Sequence, residues 1–338
     1  MIRFFLSCLS LLLIQSLFAQ EIDTTAEDII DYSQFGDAAG VKRYATQKVL
    51  NQTPNRIVSV GYEYQTSYRF PIVSENASQN FNSNRLAGIR AQVNVPVVSN
   101  TKLIWQVGAN YWKSTPDIEE PINNTFLSKL NKNGLLTTGI NTTLFKPLNE
   151  KNFLIVQLSA DLNGVFENFD DIQSKALTIS GTALYGWKQS DKNMYGIGVA
   201  RTYRAGQIIY VPVLLWNKTF NDHWGMELLL PARGHLRYNI STSNILQLGF
   251  ELEGNQFRMR DDGNGNSVYI QRGELKPRIM WDKKLFGFIW LNAQAGLRYN
   301  WRFDVMNEYN ARKEANRIYN SPMSHPLYFS LSLNFVSP

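Results

Sequence analysis

Four acids and four bases stand out in the C-terminal half of the chain: Glu227, Glu251, Glu253 and Glu274 with Arg237, Arg272, Lys276 and Arg298. Several are two residues apart, a spacing that puts side chains on one face of an extended strand. There they can pair across strands, or form a charged wall that orients a solute. A second group, Arg201, Arg204, Arg258 and Arg260, offers guanidinium forks that match phosphate oxygens. Catalytic chemistry is harder to place. The histidines are His223, His235 and His325. Ser324 precedes His325, but neighbours on an extended chain point to opposite faces, which is poor geometry for a nucleophile and its base. Asp261-Asp262-Gly263-Asn264-Gly265-Asn266 starts like a calcium loop. It lacks the twelfth-position glutamate and the flanking helices, and reads instead as a turn. Gly196-Ile197-Gly198 precedes no helix, so a nucleotide fingerprint fails on context. No catalytic residue, metal site or cofactor is expected.

The elements that must position these charges begin with the N-terminus. Arg3, the apolar run Phe4 to Phe18 and the small Ala19 before Gln20 read as a cleavable signal peptide over residues 1–19, too short to span a bilayer. The single cysteine, Cys8, lies inside it, so disulfide and thiolate–metal chemistry are not expected of the mature chain. The remainder contains no apolar stretch long enough for a transmembrane helix. Charged residues make up 18% and aromatics 13%, low and high for a soluble domain. The net charge of +6 is spread out, with no basic block suited to nucleic acid.

After residue 56 the chain alternates apolar and polar residues with period two. Leu246, Leu248, Phe250 and Leu252 oppose Gln247, Gly249, Glu251 and Glu253; Leu291 to Trp301 and Leu327 to Phe335 repeat the pattern. Many segments reach ten residues or more, beyond the about 5–6 of a sandwich strand and near the about 9–11 of a tilted membrane strand. Fourteen strands are expected, starting near residues 57, 85, 101, 134, 152, 175, 192, 207, 222, 233, 245, 267, 286 and 325, with twelve as the alternative. The long links, Pro71–Asn84, Lys113–Asn133 and Asp304–Ser324, all fall at odd positions. That is the parity of short periplasmic turns and longer extracellular loops. Trp187, Tyr195, Trp216, Trp224 and Trp281 gather at one set of strand ends, and Tyr62, Tyr64, Tyr111, Tyr299 and Trp301 at the other, as two aromatic girdles would. The expected fold is therefore all-β, a transmembrane antiparallel barrel over residues 57–338. Residues 20–56 form a periplasmic extension, or a strand or plug in the barrel mouth. The register of the strand with Pro212 is ambiguous because both its faces are apolar.

The stretch Tyr210-x-Pro212-x-Leu214-x-Trp216-Asn217-Lys218, with Asn221-Asp222-x-Trp224-Gly225-x-Glu227, Leu230-Pro231-Ala232-Arg233 and Leu236-Arg237-Tyr238, resembles a family of Gram-negative outer-membrane barrels of unknown function. The resemblance implies fold and location, and brings no functional residue with it.

On this reading the inward positions of the early strands are mostly small or neutral, with Glu63, Arg90 and Asp161 as exceptions, whereas the later strands carry the eight charges. Two readings stand. The charges form a cross-strand ladder that packs the lumen, or they line a water-filled pore opposite a neutral wall. The expected functions follow: a passive pore or binding barrel for a small polar solute; a non-conducting structural or surface-interaction barrel; and, third, an outer-membrane lipid hydrolase. Arg201, Arg204, Arg258 and Arg260 would snorkel to lipopolysaccharide phosphates. The expected partners are outer-membrane lipid and, during biogenesis, the barrel-assembly machinery.

Overall fold

Period-two alternation folds most of the chain into strands. The computed structural model describes residues 44–74, 78–119, 125–168, 171–260 and 267–337. The segments 1–43 and 261–266, on which the expected signal peptide and calcium-like turn fall, lie outside the described residues. In chain order the strands are β1 (Arg56–Gln65), β2 (Tyr68–Val73), β3 (Ser78–Asn100), β4 (Leu103–Ile118), β5 (Leu135–Pro147), β6 (Asn152–Val165), β7 (Leu177–Ser190), β8 (Asn193–Thr202) and β9 (Ile209–Thr219). They continue as β10 (Trp224–Leu230), β11 (Arg233–Ser241), β12 (Asn244–Arg260), β13 (Ser267–Phe286), β14 (Ile289–Leu297), β15 (Tyr299–Met306), β16 (Arg317–Asn320) and β17 (Leu327–Val336). A helix, α1 (Thr125–Asn133), follows β4.

Taken as staves, with β1–β2, β14–β15 and β16–β17 one stave each, every stave pairs antiparallel with its chain neighbours, and β17 returns to β1, with Val60 opposite Leu333 and Tyr62 opposite Leu331. The wall is therefore a closed barrel of fourteen staves. Closure pairs the first stave with the last, as sheet in hydrocarbon requires. The outward face is apolar and exposed, as at Val60, Ile89, Ile140, Leu158, Ile197, Leu248, Ile279 and Leu333. A continuous band of this kind is a lipid-facing surface. Girdle indoles satisfy their N–H on the adjacent strand: Trp105 donates to Thr142 Oγ1 (2.8 Å), Trp216 to Asn193 Oδ1 (3.1 Å) and Trp281 to Asn244 Oδ1 (2.6 Å).

At the end where β1 begins and β17 finishes, the links are short: 101–102, 148–151, 191–192, 220–223, 242–243 and 287–288. The opposite, loop end departs from expectation. Pro71–Asn84 is largely strand, because β2 runs to Val73 and β3 starts at Ser78. In Lys113–Asn133, β4 continues to Ile118 and α1 follows; Asp304–Ser324 contains the end of β15 and all of β16. The strands overshoot the bilayer because their apolar residues find each other there.

That meeting closes the barrel. The tip of β12 bends across the opening and pairs in parallel with β6 on the opposite wall, Arg258 beside Gly164 and Met259 beside Val165. Around this pinch Tyr68, Phe70, Leu86, Trp112, Leu127, Leu130, Phe257, Ile270, Phe303 and Val305 form a buried apolar cap. Phe70 meets Phe303 edge-on at 5.3 Å, and Trp112 lies 6.1 Å from Phe257. Helix α1 contributes Phe126, Leu127 and Leu130 from one face. It ends at Gly134, whose φ of 68° and bond from its N–H to Leu130 O (2.9 Å) make a left-handed cap that suits glycine.

Truncating Phe257, fully buried in this cap, to alanine is expected to cost about 3–5 kcal/mol. The loss would read as a lowered urea midpoint in micelles; a shift no larger than that of the lipid-facing Leu248→Ala would mean the cap does not hold the end shut.

Candidate functional site

The inward positions of β12 and β13, with Arg298 between β14 and β15, carry the charges, and the bent barrel brings them against the wall formed by β1 and β3. Glu274 is completely buried; it is bonded to Arg272 on its own strand and to Arg298, with Lys276 Nζ at 3.9 Å. Lys276 reaches Glu253 at 2.7 Å. Arg90, on the far side, bridges Glu253 (2.9 Å) and Glu63 (2.6 Å). Glu63 also accepts the Trp112 indole N–H at 3.0 Å, and Arg298 donates to Gln65. Arg278 pairs with Glu251. Aromatic faces flank the cations, with Arg272 4.7 Å over Trp112 and Lys276 4.6 Å over Tyr328. The chain of ion pairs therefore crosses the lumen from Glu63 to Arg298.

Five of the eight expected residues come together in this network, Glu253, Arg272, Glu274, Lys276 and Arg298, while Glu251 pairs with Arg278. Glu227 and Arg237 form a separate pair at 3.2 Å. Arg278 lies outside the eight, although alternation alone would add it, since it shares the parity of Arg272, Glu274 and Lys276. Glu63 and Arg90 are inward charges by alternation; that Arg90 reaches across to Glu253 on β12 depends on the pinch, which leaves no local signal.

Glu227 has another partner. Residues 44–55 lie inside the turn end, where Ala45 and Val49 pack on Phe145, Phe153, Leu184, Met194 and Leu215. Thr53 donates through its N–H and hydroxyl to Glu227 (3.1 and 2.7 Å), Asn239 donates to Asn51 O (3.0 Å), and Lys188 donates to Lys48 O (2.9 Å). This contact also resolves the register of β9: Val213 and Leu215 face in, towards the apolar cluster, while Tyr210, Leu214 and Trp216 face out. Burial pushes the Lys48 ammonium down to about 8, with Glu227 opposing.

Between the network and the opposite wall lies a cavity of ≈370 Å³. Gln157, Ser159, Ser180 and Thr182 supply a neutral polar side with Asp161 as its one acid, and Val211, Val213 and Leu229 an apolar side. A volume of this order suits a small molecule.

The four arginines expected at lipid are engaged within the chain. Arg258 is a correction: it is 3% exposed and donates to Asp171 O and to Ser267 Oγ (2.7 Å), because the crossing of β12 takes it off the barrel surface. Arg201 donates to Ile179 O, and Arg204 to Leu252 O. Arg260 is half exposed, 3.8 Å from Asp171. Burial would raise the Asp171 carboxyl, but N–H bonds from Glu167 and Asn168 and the guanidinium groups of Arg260 and Arg258 hold it below its usual range. His235 is buried facing inward, His223 Nδ1 lies 2.7 Å from Asn239 O, and His325 rests on the Tyr299 ring at 4.4 Å. Ser324 Oγ accepts the Arg69 N–H at 2.9 Å.

Among solved structures, the chain is similar to a Pseudomonas aeruginosa FadL homologue at 10% identity and TM-score 0.40, covering 83% of this chain and 90% of that one. An outer membrane channel from Pseudomonas putida F1 aligns at 10% identity and TM-score 0.37, covering 83% and 96%. The P. putida toluene transporter TodX aligns at 8% and 0.35, covering 86% and 92%. No curated protein matches. The profile of a family described as a domain of unknown function, DUF6268, matches residues 52–335.

Replacing Glu274 by glutamine leaves Arg272, Arg298 and Lys276 around an uncharged amide, and is expected to cost about 3–5 kcal/mol. Arg85→Ala, which breaks an exposed pair with Asp117, should cost about 1 kcal/mol or less. Equal urea midpoints for the two variants would show that the buried network carries no stability. The segment at 44–55 should dock more firmly as pH rises from about 8 towards 10.5, because undocked Lys48 holds its proton over that window and docked Lys48 has lost it. Protection of residues 44–55 from protease would report this; protection that falls over the same window would contradict it.

Proposed function

We propose, from the premise that the chain belongs to the family described as a domain of unknown function, DUF6268, that it is an outer-membrane barrel closed at rest around a cavity for a small solute. The observation that supports this most is the filling of the lumen at three levels. The apolar cap and β12–β6 pinch lie at the loop end, the ion-pair chain crosses the middle, and residues 44–55 pack into the turn end. A freely diffusing pore needs a continuous water path, which this packing interrupts. The charged wall then acts as a ladder that holds opposite walls together, and the cavity beside it is the space left for a ligand.

The same proposal includes export through a signal peptide over residues 1–19, insertion by the barrel-assembly machinery, and surroundings of outer-membrane lipid and lipopolysaccharide. Arg260 is the arginine of the rim group best exposed to a headgroup phosphate. Catalysis forms no part of the proposal.

In planar bilayers the refolded protein should migrate as a heat-modifiable folded species yet give no steady single-channel steps. Steady steps from the folded wild type would overturn the closed barrel and restore the passive pore.

A further inference from the structure

The hairpin β10–β11 is too short for its place in the wall. β10 ends at Leu230 and β11 starts at Arg233, whereas the flanking β9 begins at Ile209 and β12 runs on to Arg260. On the β10 side, β9 pairs only from Leu214 onward, and on the β11 side β12 pairs only up to Glu251. Beyond the Pro231–Ala232 tip, two staves are missing. Their neighbours stand three inter-strand spacings apart there, roughly 14 Å. The wall is broken at this point. Unpaired backbone in a membrane is tolerated only where it is buried or lines a cavity, and Pro212, which has no N–H to leave unpaired, lies in the unpartnered stretch of β9. The link 203–208 straps the upper part of the break: Arg204 donates to Leu252 O, Arg302 to Ala205 O (3.3 Å), and Ile208 N–H to Asn310 Oδ1 (2.8 Å).

The cavity reaches this break. Its lining takes in both Glu253, which faces the lumen, and Leu252, which faces outward, together with Leu230 and Pro231 at the hairpin tip. A second, apolar hollow on the outer side, lined by Ile197, Pro212 and Leu214, shares Val211, Val213, Leu230 and Pro231 with it. We infer that the break between β9 and β12 is a lateral port through which an uncharged amphiphile passes between the bilayer and the cavity. This rests on the reading of the barrel as closed at both ends.

The ligand class follows from the lining. Val211, Val213 and Leu229 offer an apolar approach, and Gln157, Ser159, Ser180 and Thr182 offer hydrogen bonds at the far side. Arg90, Arg272, Glu251 and Glu253 at the cavity are held in ion pairs, Asp161 accepts from Asn110, and the guanidinium groups of Arg201 and Arg204 are turned to the carbonyls of Ile179 and Leu252. A charged headgroup would have to displace one of these contacts. A slender apolar body ending in an alcohol, amide or imide would not.

The port is tested with the full chain carrying Cys8→Ser and Thr182→Cys, reconstituted in phosphatidylcholine vesicles. Labelling by N-dodecylmaleimide, itself an uncharged amphiphile, is compared with labelling by a sulfonated maleimide, each normalised to unfolded protein. The alkyl reagent should react about tenfold faster or more, since its chain concentrates it in the bilayer. Leu214→Trp, on the lipid side of the port, should slow it several-fold. The control site Ala183→Cys, exposed on the outer face, should be labelled equally with or without Leu214→Trp. Failure of both reagents to label Thr182→Cys would overturn the port while leaving the closed barrel standing. Equal labelling by the sulfonated reagent would show a water path and overturn the closed barrel as well. Rapid alkyl labelling that Leu214→Trp does not slow would place the route elsewhere and overturn the port.

Discussion

A strand in hydrocarbon has no water to satisfy its backbone, so the wall must hydrogen-bond to itself. Everything else in this barrel is arranged around that requirement. Fourteen staves meet it by closing β17 on β1. Where two of them stop early, the free edges of β9 and β12 need other cover, and a strap, a proline and a cavity take the place of pairing. The pinch at β6 and β12 is the same requirement met at the loop end, with a parallel pairing between opposite walls.

The pinch also governs where charge can sit. Drawn together, the two walls leave little water between them, so each inward charge must have a partner or be very costly. The result is a connected chain in which Arg90 serves two carboxylates and Glu274 serves three cations. Such a chain gains little net free energy over an apolar filling, yet losing one member strands the others. Its effect is to set the separation of the walls. The lumen on the far side of β12 is spared, and that is where the cavity lies.

Much of this was legible along the chain. The fourteen strand starts, the short links on one side and the outward aromatics follow from period-two alternation and from where indole rings sit best, properties of each strand alone. Most of the charged residues were legible for the same reason, because parity decides which face a side chain takes. Arg258 shows where parity fails: it alternates correctly with the lipid-facing residues, but its strand has left the wall by then. The register of β9, apolar on both faces, needed a neighbour to decide it, and residues 44–55 supplied one.

The sequence by itself determined the membrane-spanning class, a count of fourteen or twelve staves and the facing of most side chains, because these depend on local alternation and on the solvent each face meets. Only the tertiary structure decided that the barrel is pinched, which carboxylate each cation serves, and that a short hairpin leaves the wall open. Those depend on contacts between staves far apart in the chain, such as Arg90 with Glu253 and β12 with β6, and no local pattern encodes the distance between opposite walls.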